Sequence, residues 1–375
     1  MKALHYAEKL IQFNSTSSLS NKLIAAYLNE ILKKDGFVVE RLEYRDKNGV
    51  RKYSILGKKG KGSGGLAYFC HSDVVPANDW FSTKFGPYEP AIARERLYGR
   101  GSCDMKGSIA CMLEAQQMFS WSDLKKPFYF ICTADEEVGY HGAKQVVSES
   151  KFYREIVGAG ARGVIGEPTM LEVVHAHKGG CLLIATAIGK AGHSSTQEGV
   201  NANLAMIPFL QEMKAIHDET EQNAVWHNNE FTPPTLSWNI GISDHTEAIN
   251  ITPPKSVCTV YFRPMPGQKT EDLVERVRTA AIANRLTLEV EHFSSPLYTD
   301  PNSDYVQTAL ELARRKEAKT VSYGTDGGVF TEMEKLVVFG PGNIAQAHTN
   351  DEWIAIEQLS LGVEMYAKFI RRFCT

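Results

Sequence analysis

The chain has 375 residues, of which 43% are hydrophobic and 23% charged, and a formal net charge of −3 at pH 7. That length exceeds what one hydrophobic core usually serves, so two domains are expected. The small net charge offers no electrostatic footprint for nucleic acid or for an anionic membrane surface, which leaves small-molecule chemistry as the expected class.

Residues 1–13 read as a short amphipathic stretch with Glu8 and Lys9 inside it, rather than a basic end followed by an apolar core. Neither a signal peptide nor a membrane span is expected, and the protein is expected to be cytoplasmic. Ser20 can cap a helix whose apolar residues Leu23, Ile24, Tyr27, Leu28, Ile31 and Leu32 fall at helical spacing, with Gly36 ending it. Continuous apolar runs follow at 66–70, 128–134 and 163–166, as suits strands covered on both faces, with a helix over about 107–119 between the first two. Alternating strands and helices of this kind predict an α/β sheet.

From about residue 179 the pattern changes. Leu182, Ile184, Thr186 and Ile188 give a period-2 strand, followed by a helix over 201–217, strands over 236–242 and 257–262, a helix over 270–284 and a strand over 286–292. That βαββαβ order describes a compact two-layer, ferredoxin-like domain. The α/β pattern resumes with an apolar run at 336–339, the turn Gly340-Pro341-Gly342 and a closing helix from about Ile356. The expected organisation is therefore an α/β catalytic domain with a mostly parallel sheet, residues 1–178 and 291–375, into which a smaller domain of residues 179–290 is inserted. The seven cysteines are odd in number, scattered and mostly inside apolar runs, which predicts reduced core thiols.

Five short acidic or histidine motifs each follow a strand-like run or a glycine-rich turn: His71-Ser72-Asp73, Asp104, Glu136-Glu137, Glu167 and His348. Such groups at the carboxyl ends of parallel strands point into one crevice, where open α/β sheets place their sites. His71 and Asp73 share a face if the chain stays extended, and a carboxylate beside a metal-binding imidazole fixes its tautomer. Asp104, bracketed by glycines before a helix, reads either as a helix cap or as a carboxylate whose two oxygens bridge two cations. Asp135, Glu136 and Glu137 crowd like charges at a strand end, which makes sense if one binds a cation and another works as a base; a solvated acidic loop is the other reading. Glu167 and His348 complete a mixed nitrogen and oxygen set that zinc accepts. The pair His175 and His177 also alternates along a strand, but no acid lies beside it, and a structural role is expected.

At these residues the chain resembles the aminoacylase, acetylornithine deacetylase and succinyl-diaminopimelate desuccinylase family of dinuclear zinc hydrolases. The likeness runs over essentially the whole length, through Gly99-Arg100-Gly101-Ser102-Cys103-Asp104-Met105-Lys106-Gly107, Asp135-Glu136-Glu137, Gly166-Glu167-Pro168-Thr169, Ala191-Gly192-His193-Ser194-Ser195 and Ala347-His348. It implies a zinc-aminopeptidase-like catalytic domain, an inserted dimerisation domain and a homodimer. It further implies two divalent ions, Zn²⁺ first with Co²⁺ or Mn²⁺ as alternatives, bridged by Asp104, with Glu137 and His348 completing one site and His71 and Glu167 the other. Glu136 would be the general base, Asp73 would orient His71, and the peptide bond after Asp104 would be cis. His193 would reach into the partner subunit's site as an oxyanion donor, while Asn250 and Arg263 would bind the substrate's α-carboxylate, a task that suits a bidentate guanidinium. The segment Gly340 to His348 is similar to that of the deacetylase members, and Gly328-Val329 stand where desuccinylase members usually carry an arginine. The expected reaction is removal of a short, uncharged acyl group from an N-acyl amino acid. Desuccinylation, with Arg314 or Arg315 filling the missing role, and dipeptide hydrolysis are the alternatives.

Overall fold

The computed structural model describes residues 1–244, 246 and 248–375, with the side chains of all of these except 292 and 293. The chain forms two compact units, one of Met1–Ala176, Leu297–Lys319 and Thr325–Thr375, the other of His177–Pro296 and Thr320–Gly324.

The first unit is built on a mixed sheet in the order Val38–Arg45, Arg51–Lys59, Phe128–Thr133, Leu66–His71, Arg162–Ile165, Leu336–Val338, Val174–His177, Leu297–Tyr298. The four strands from Phe128–Thr133 to Leu336–Val338 run parallel, and the hairpin of the first two strands joins them antiparallel. Every residue of Leu66–His71, Phe128–Thr133 and Leu336–Val338 is buried, which is why these runs lack alternation. Register decides where the site forms. His71 lies opposite Thr133, and Phe69 opposite Ile165, so these strands finish within two residues of one another and their following residues leave the sheet at one, carboxyl-terminal edge.

The floor of that edge is packed by the helices Gly107–Gln116 and Ile356–Cys374. A chain of hydroxyls crosses it: Tyr68 Oη lies 2.8 Å from Ser108 Oγ, which lies 2.6 Å from Tyr366 Oη, and Tyr366 donates to the Phe339 carbonyl at 3.2 Å. Gly166 sits against this chain, and a Cβ there would stand 2.4 Å from Tyr68 Oη, so the turn into Glu167 has room only for glycine.

The helix foreseen after Ser20 spans Lys22–Lys34, but its N-cap is Asn21. Asn21 instead bonds both backbone polar groups of Tyr53 and donates to Ser72 Oγ, while Ser20 donates to the Arg51 carbonyl. Docking against the Arg51–Lys59 strand, a contact between distant residues, outcompetes local capping here.

The second unit has an antiparallel sheet in the order Asn239–Ser243, Lys255–Phe262, Gly180–Ile188, Thr287–Ser294. Gly180–Ile188 alternates buried and partly exposed residues, so one face meets the helices Ala202–Gln222 and Glu271–Ala283. Asn201 caps the first of these by accepting from Asn203 N–H. Among the described residues no helix is long and apolar enough to cross a membrane. All seven cysteines are free and buried.

Candidate metal centre

His71 ends its strand with a ring that is almost fully buried. Its Nε2 lies 3.1 Å from Asp104 Oδ1 and 3.4 Å from Glu167 Oε1. On the other side, His348 Nε2 lies 3.4 Å from Asp104 Oδ2 and 3.0 Å from Glu137 Oε2. Asp104 thus gives one oxygen to each of two histidine–glutamate pairs. Four ligands held about 2.0–2.2 Å from a tetrahedral cation stand roughly 3.3–3.6 Å apart, so both donor groups are spaced for one divalent ion each. The ligand atoms of His71, Asp104 and Glu137 all fall within 4.8 Å of one another.

The local backbone explains how a short segment delivers these groups. Asp104 leaves helical geometry at φ −120°, ψ 93°, and the Asp104–Met105 peptide is cis. His348 takes the left-handed conformation at φ 62°, as does Asp135 at φ 57°, and these turns swing the following side chains out of the sheet direction.

Electrostatics point the same way. Burial, with repulsion from Asp104, pushes Glu167 up to about 8, and burial likewise raises Glu136 and Glu137. Burial would also raise Asp104, but hydrogen bonds with His348 and His71 hold it below the ordinary carboxylate range. The His348 imidazole is pushed up to about 10 by its bonds to Asp104 and Glu137. Four carboxylates gathered out of water call for positive charge, and with only two imidazoles among them, divalent cations fit the donor set.

Asp73 has two kinds of partner. His71 Nδ1 faces the Asp73 carbonyl at 3.0 Å and its carboxylate at 3.6 Å. The carboxylate itself accepts from Glu136 N–H at 3.2 Å, Glu137 N–H at 3.3 Å and Ser17 Oγ at 2.8 Å, so it also braces the turn that carries both glutamates. Asp135 opens that turn and is anchored from behind by the buried Lys52 ammonium at 2.9 Å and by Tyr44 Oη at 2.7 Å.

The histidines His175 and His177 are buried, with Nδ1 atoms directed at the carbonyls of Thr299 and Lys178. Arg315 pairs with Glu172 at 3.1 Å, and Arg314 forms the left-handed C-cap of Asp304–Ala313. In the second unit, His193 pairs with Ile251 in an isolated bridge, Ser194 N–H donates to the Asn250 carbonyl, and Ser195 Oγ lies 2.7 Å from His193 Nδ1. His193 and Asn250 are thereby neighbours and both exposed; Arg263 is partly exposed, its guanidinium 5.1 Å from the Tyr261 ring centre.

Residues 67–372 match the model of peptidase family M20/M25/M40. The chain belongs to that family. It is 32% identical over 383 residues to the acetylornithine deacetylase of Myxococcus xanthus, covering 98% of this chain and 96% of the relative. It is 30% identical to the acetylornithine deacetylase of Pasteurella multocida strain Pm70, covering 95% of this chain and 92% of that one. Among solved structures it is similar to the M20 family metallo-carboxypeptidase Sso-CP2 from Sulfolobus solfataricus, with a TM-score of 0.76 over 100% of this chain and 99% of the other at 16% identity, a likeness of fold.

Beside the donor groups of this M20/M25/M40 hydrolase stand residues that motif reading passed over. Glu352 and Arg100 form a buried pair at 2.8 Å behind Asp104, and Asp326 accepts from Thr133 Oγ1 at 2.6 Å with its carboxyl pushed up to about 7 by burial. Glu352 stands only four positions after His348, yet nothing local marks it, because its partner lies 252 residues away.

Proposed function

We propose that the chain is a metal-dependent amidohydrolase that removes the acetyl group from N-acetylornithine. The observation that carries the reading is the division of Asp104 between two histidine–glutamate pairs, with Glu136 left beside them and unneeded by either. His71, Asp104 and Glu167 would hold one divalent ion and Asp104, Glu137 and His348 the other, Zn²⁺ first, with Co²⁺ or Mn²⁺ as substitutes. When bound, such a pair supplies Lewis-acid polarisation of the amide carbonyl and makes water acidic enough to attack at neutral pH. Glu136 takes the proton from the attacking water and returns it to the leaving amine nitrogen, a role its burial among carboxylates suits by raising its proton affinity. Asp73 holds His71 and the Glu136–Glu137 turn in one frame.

Arg263 and Asn250 bind the substrate's α-carboxylate, and His193 donates to the developing oxyanion. The second unit, residues 177–296 and 320–324, acts as a dimerisation and lid domain to the catalytic first unit. Homodimerisation is supported by exposed Leu204 and Ile207 on Ala202–Gln222 and by exposed Ile242 on Asn239–Ser243, which among the described residues is paired on one side only. The seven free thiols support a reducing, cytoplasmic location. Two curated relatives near 30% identity carry the acetylornithine deacetylase name, which supports the acetylated substrate.

The test is an assay of chelated and Zn²⁺- or Co²⁺-reconstituted protein on N-acetylornithine, N-acetylcitrulline, N-succinyl-diaminopimelate and a dipeptide panel, with Glu136→Ala as control. Metal-dependent release from the acetylated substrates alone is expected. Turnover of only the succinyl compound or of dipeptides sinks the substrate assignment and leaves the chemistry standing.

A further inference from the structure

One carboxylate outside the donor groups is more fully engaged than any within them. Glu352 Oε1 accepts from Cys103 N–H at 2.9 Å and Asp104 N–H at 3.0 Å; Oε2 accepts from Gly101 N–H at 2.8 Å and Arg100 Nη1 at 2.8 Å. Its carbonyl also accepts from Gly99 N–H at 3.1 Å. The side chain is 1% exposed, and the Arg100 side chain that neutralises it is 2% exposed. Three loop amides, those of Gly101, Cys103 and Asp104, therefore converge on one buried anion while Ser102 N–H between them donates to the Gly99 carbonyl, an arrangement akin to the backbone nests that bind phosphates, filled here by the chain itself. Gly101 makes the concavity possible at φ 83°, where a Cβ would meet Lys106 Cδ and Val74 Cγ1 at 2.8 Å.

The position of Glu352 gives this nest a purpose. It ends the loop that carries His348 and precedes Trp353–Ala355, which pairs antiparallel with Arg96–Tyr98, just ahead of the Asp104 loop. Asp104 and His348 come from segments 244 positions apart in sequence, and Glu352 grips the first from within the second. The Asp104 backbone leaves helical geometry, and its N–H is taken up by Glu352.

We infer that Glu352 is the positioning residue for Asp104: its carboxylate fixes the Asp104 loop against the His348 loop and so sets the spacing of the two donor groups for their cations. This rests on the reading of Asp104 as the shared ligand, and it adds a residue that touches neither substrate nor cation. Outer partners of metal ligands commonly contribute about 10–100-fold in affinity, which sets the scale of the effect.

Glu352→Gln is nearly isosteric, but its amide nitrogen turns two of the four donors toward another donor. In the metal-free, folded variant, hydrogen exchange at the Gly101, Cys103 and Asp104 amides should rise at least about tenfold, a change that needs no cation to be read. Titration with Co²⁺, followed by its absorption spectrum and by bound-metal stoichiometry, should show affinity about 10–100-fold weaker than wild type. At saturating metal, kcat should fall while KM stays within about twofold. Glu212→Gln, which breaks the Arg276 pair in the second unit, should change none of these. If Glu352→Gln does not fold, Glu352→Asp keeps the charge facing Arg100 but withdraws it from the amides, and an intermediate loss of affinity is expected. Wild-type affinity in either folded variant, or unchanged exchange at the three amides, overturns the inference. Failure of the wild type itself to bind two cations would instead overturn the metal reading.

Discussion

Most of the proposed donor groups of the first unit and the proposed recognition residues of the second are held on different physical plans. His71, Asp104 and Glu167 lie almost wholly out of water, and the braces Asp73, Asp135 and Glu352 are themselves buried and engaged, while His348 is the exposed member of the donor set. His193 and Asn250 are exposed, His193 bonded to Ser195 and Thr196 of its own loop and bridged to Ile251, and the Arg263 guanidinium lies 5.1 Å from the Tyr261 ring centre. The difference teaches where rigidity is needed. Cation ligands must be set before the ion arrives, because a misplaced carboxylate in low dielectric is costly, whereas groups that meet a solvated carboxylate stay wet until they bind it.

If that contrast is right, injuries to the buried region should strike the chemical step or the fold, and injuries to the exposed residues should strike binding. The largest effect is expected for Glu136→Gln, with kcat lower by about 10²–10⁴-fold at unchanged metal content, checked by steady-state kinetics beside metal analysis. Lys52→Met leaves Asp135 buried without its ammonium and should lower unfolding free energy by about 3–5 kcal/mol, read from urea denaturation. His177 supplies a pH test. Burial, and then Arg263, hold its imidazole down at about 4, below the unfolded value of 6.5. The folded form therefore binds fewer protons, so stability is complete above pH 6.5 and is lost as pH falls from there to about 4, by roughly 3 kcal/mol in all. Between pH 7 and pH 4.5 the change in unfolding free energy should differ between the wild type and His177→Gln by about 2–3 kcal/mol, the wild type losing more, read from urea denaturation at both pH values. The smallest effect is expected for Arg263→Lys, a KM about tenfold higher at constant kcat and metal content, since lysine keeps the charge and loses the bidentate fork. A fall in kcat equal to the rise in KM would erase the contrast between the two regions.

The site's outline was readable in sequence because covalent adjacency did the placing. His71, Glu136, Glu137 and Glu167 follow apolar runs by one to three residues, so recognising the strands located them together, and Asp104 and His348 follow glycine turns by three and six. The inserted sheet was readable for a similar reason, as the alternation of Gly180–Ile188 is a local signal. What escaped depends on partners far apart. Lys52 meets Asp135 across 83 positions and Arg100 meets Glu352 across 252, and neither pair leaves a trace in spacing. Ser20 has better local cap chemistry than its docking allows, and Asn21 took the position because Tyr53 and Ser72 were there to hold it.

The strand Leu336–Val338 lies between Arg162–Ile165 and Val174–His177, in the interior of its sheet, although it is made more than 150 residues after them. During synthesis the earlier strands must wait with bare edges while the whole of the second unit emerges and folds. The nascent chain is thus most exposed to strand-to-strand association just before residue 336, while the slot between Arg162–Ile165 and Val174–His177 is still open.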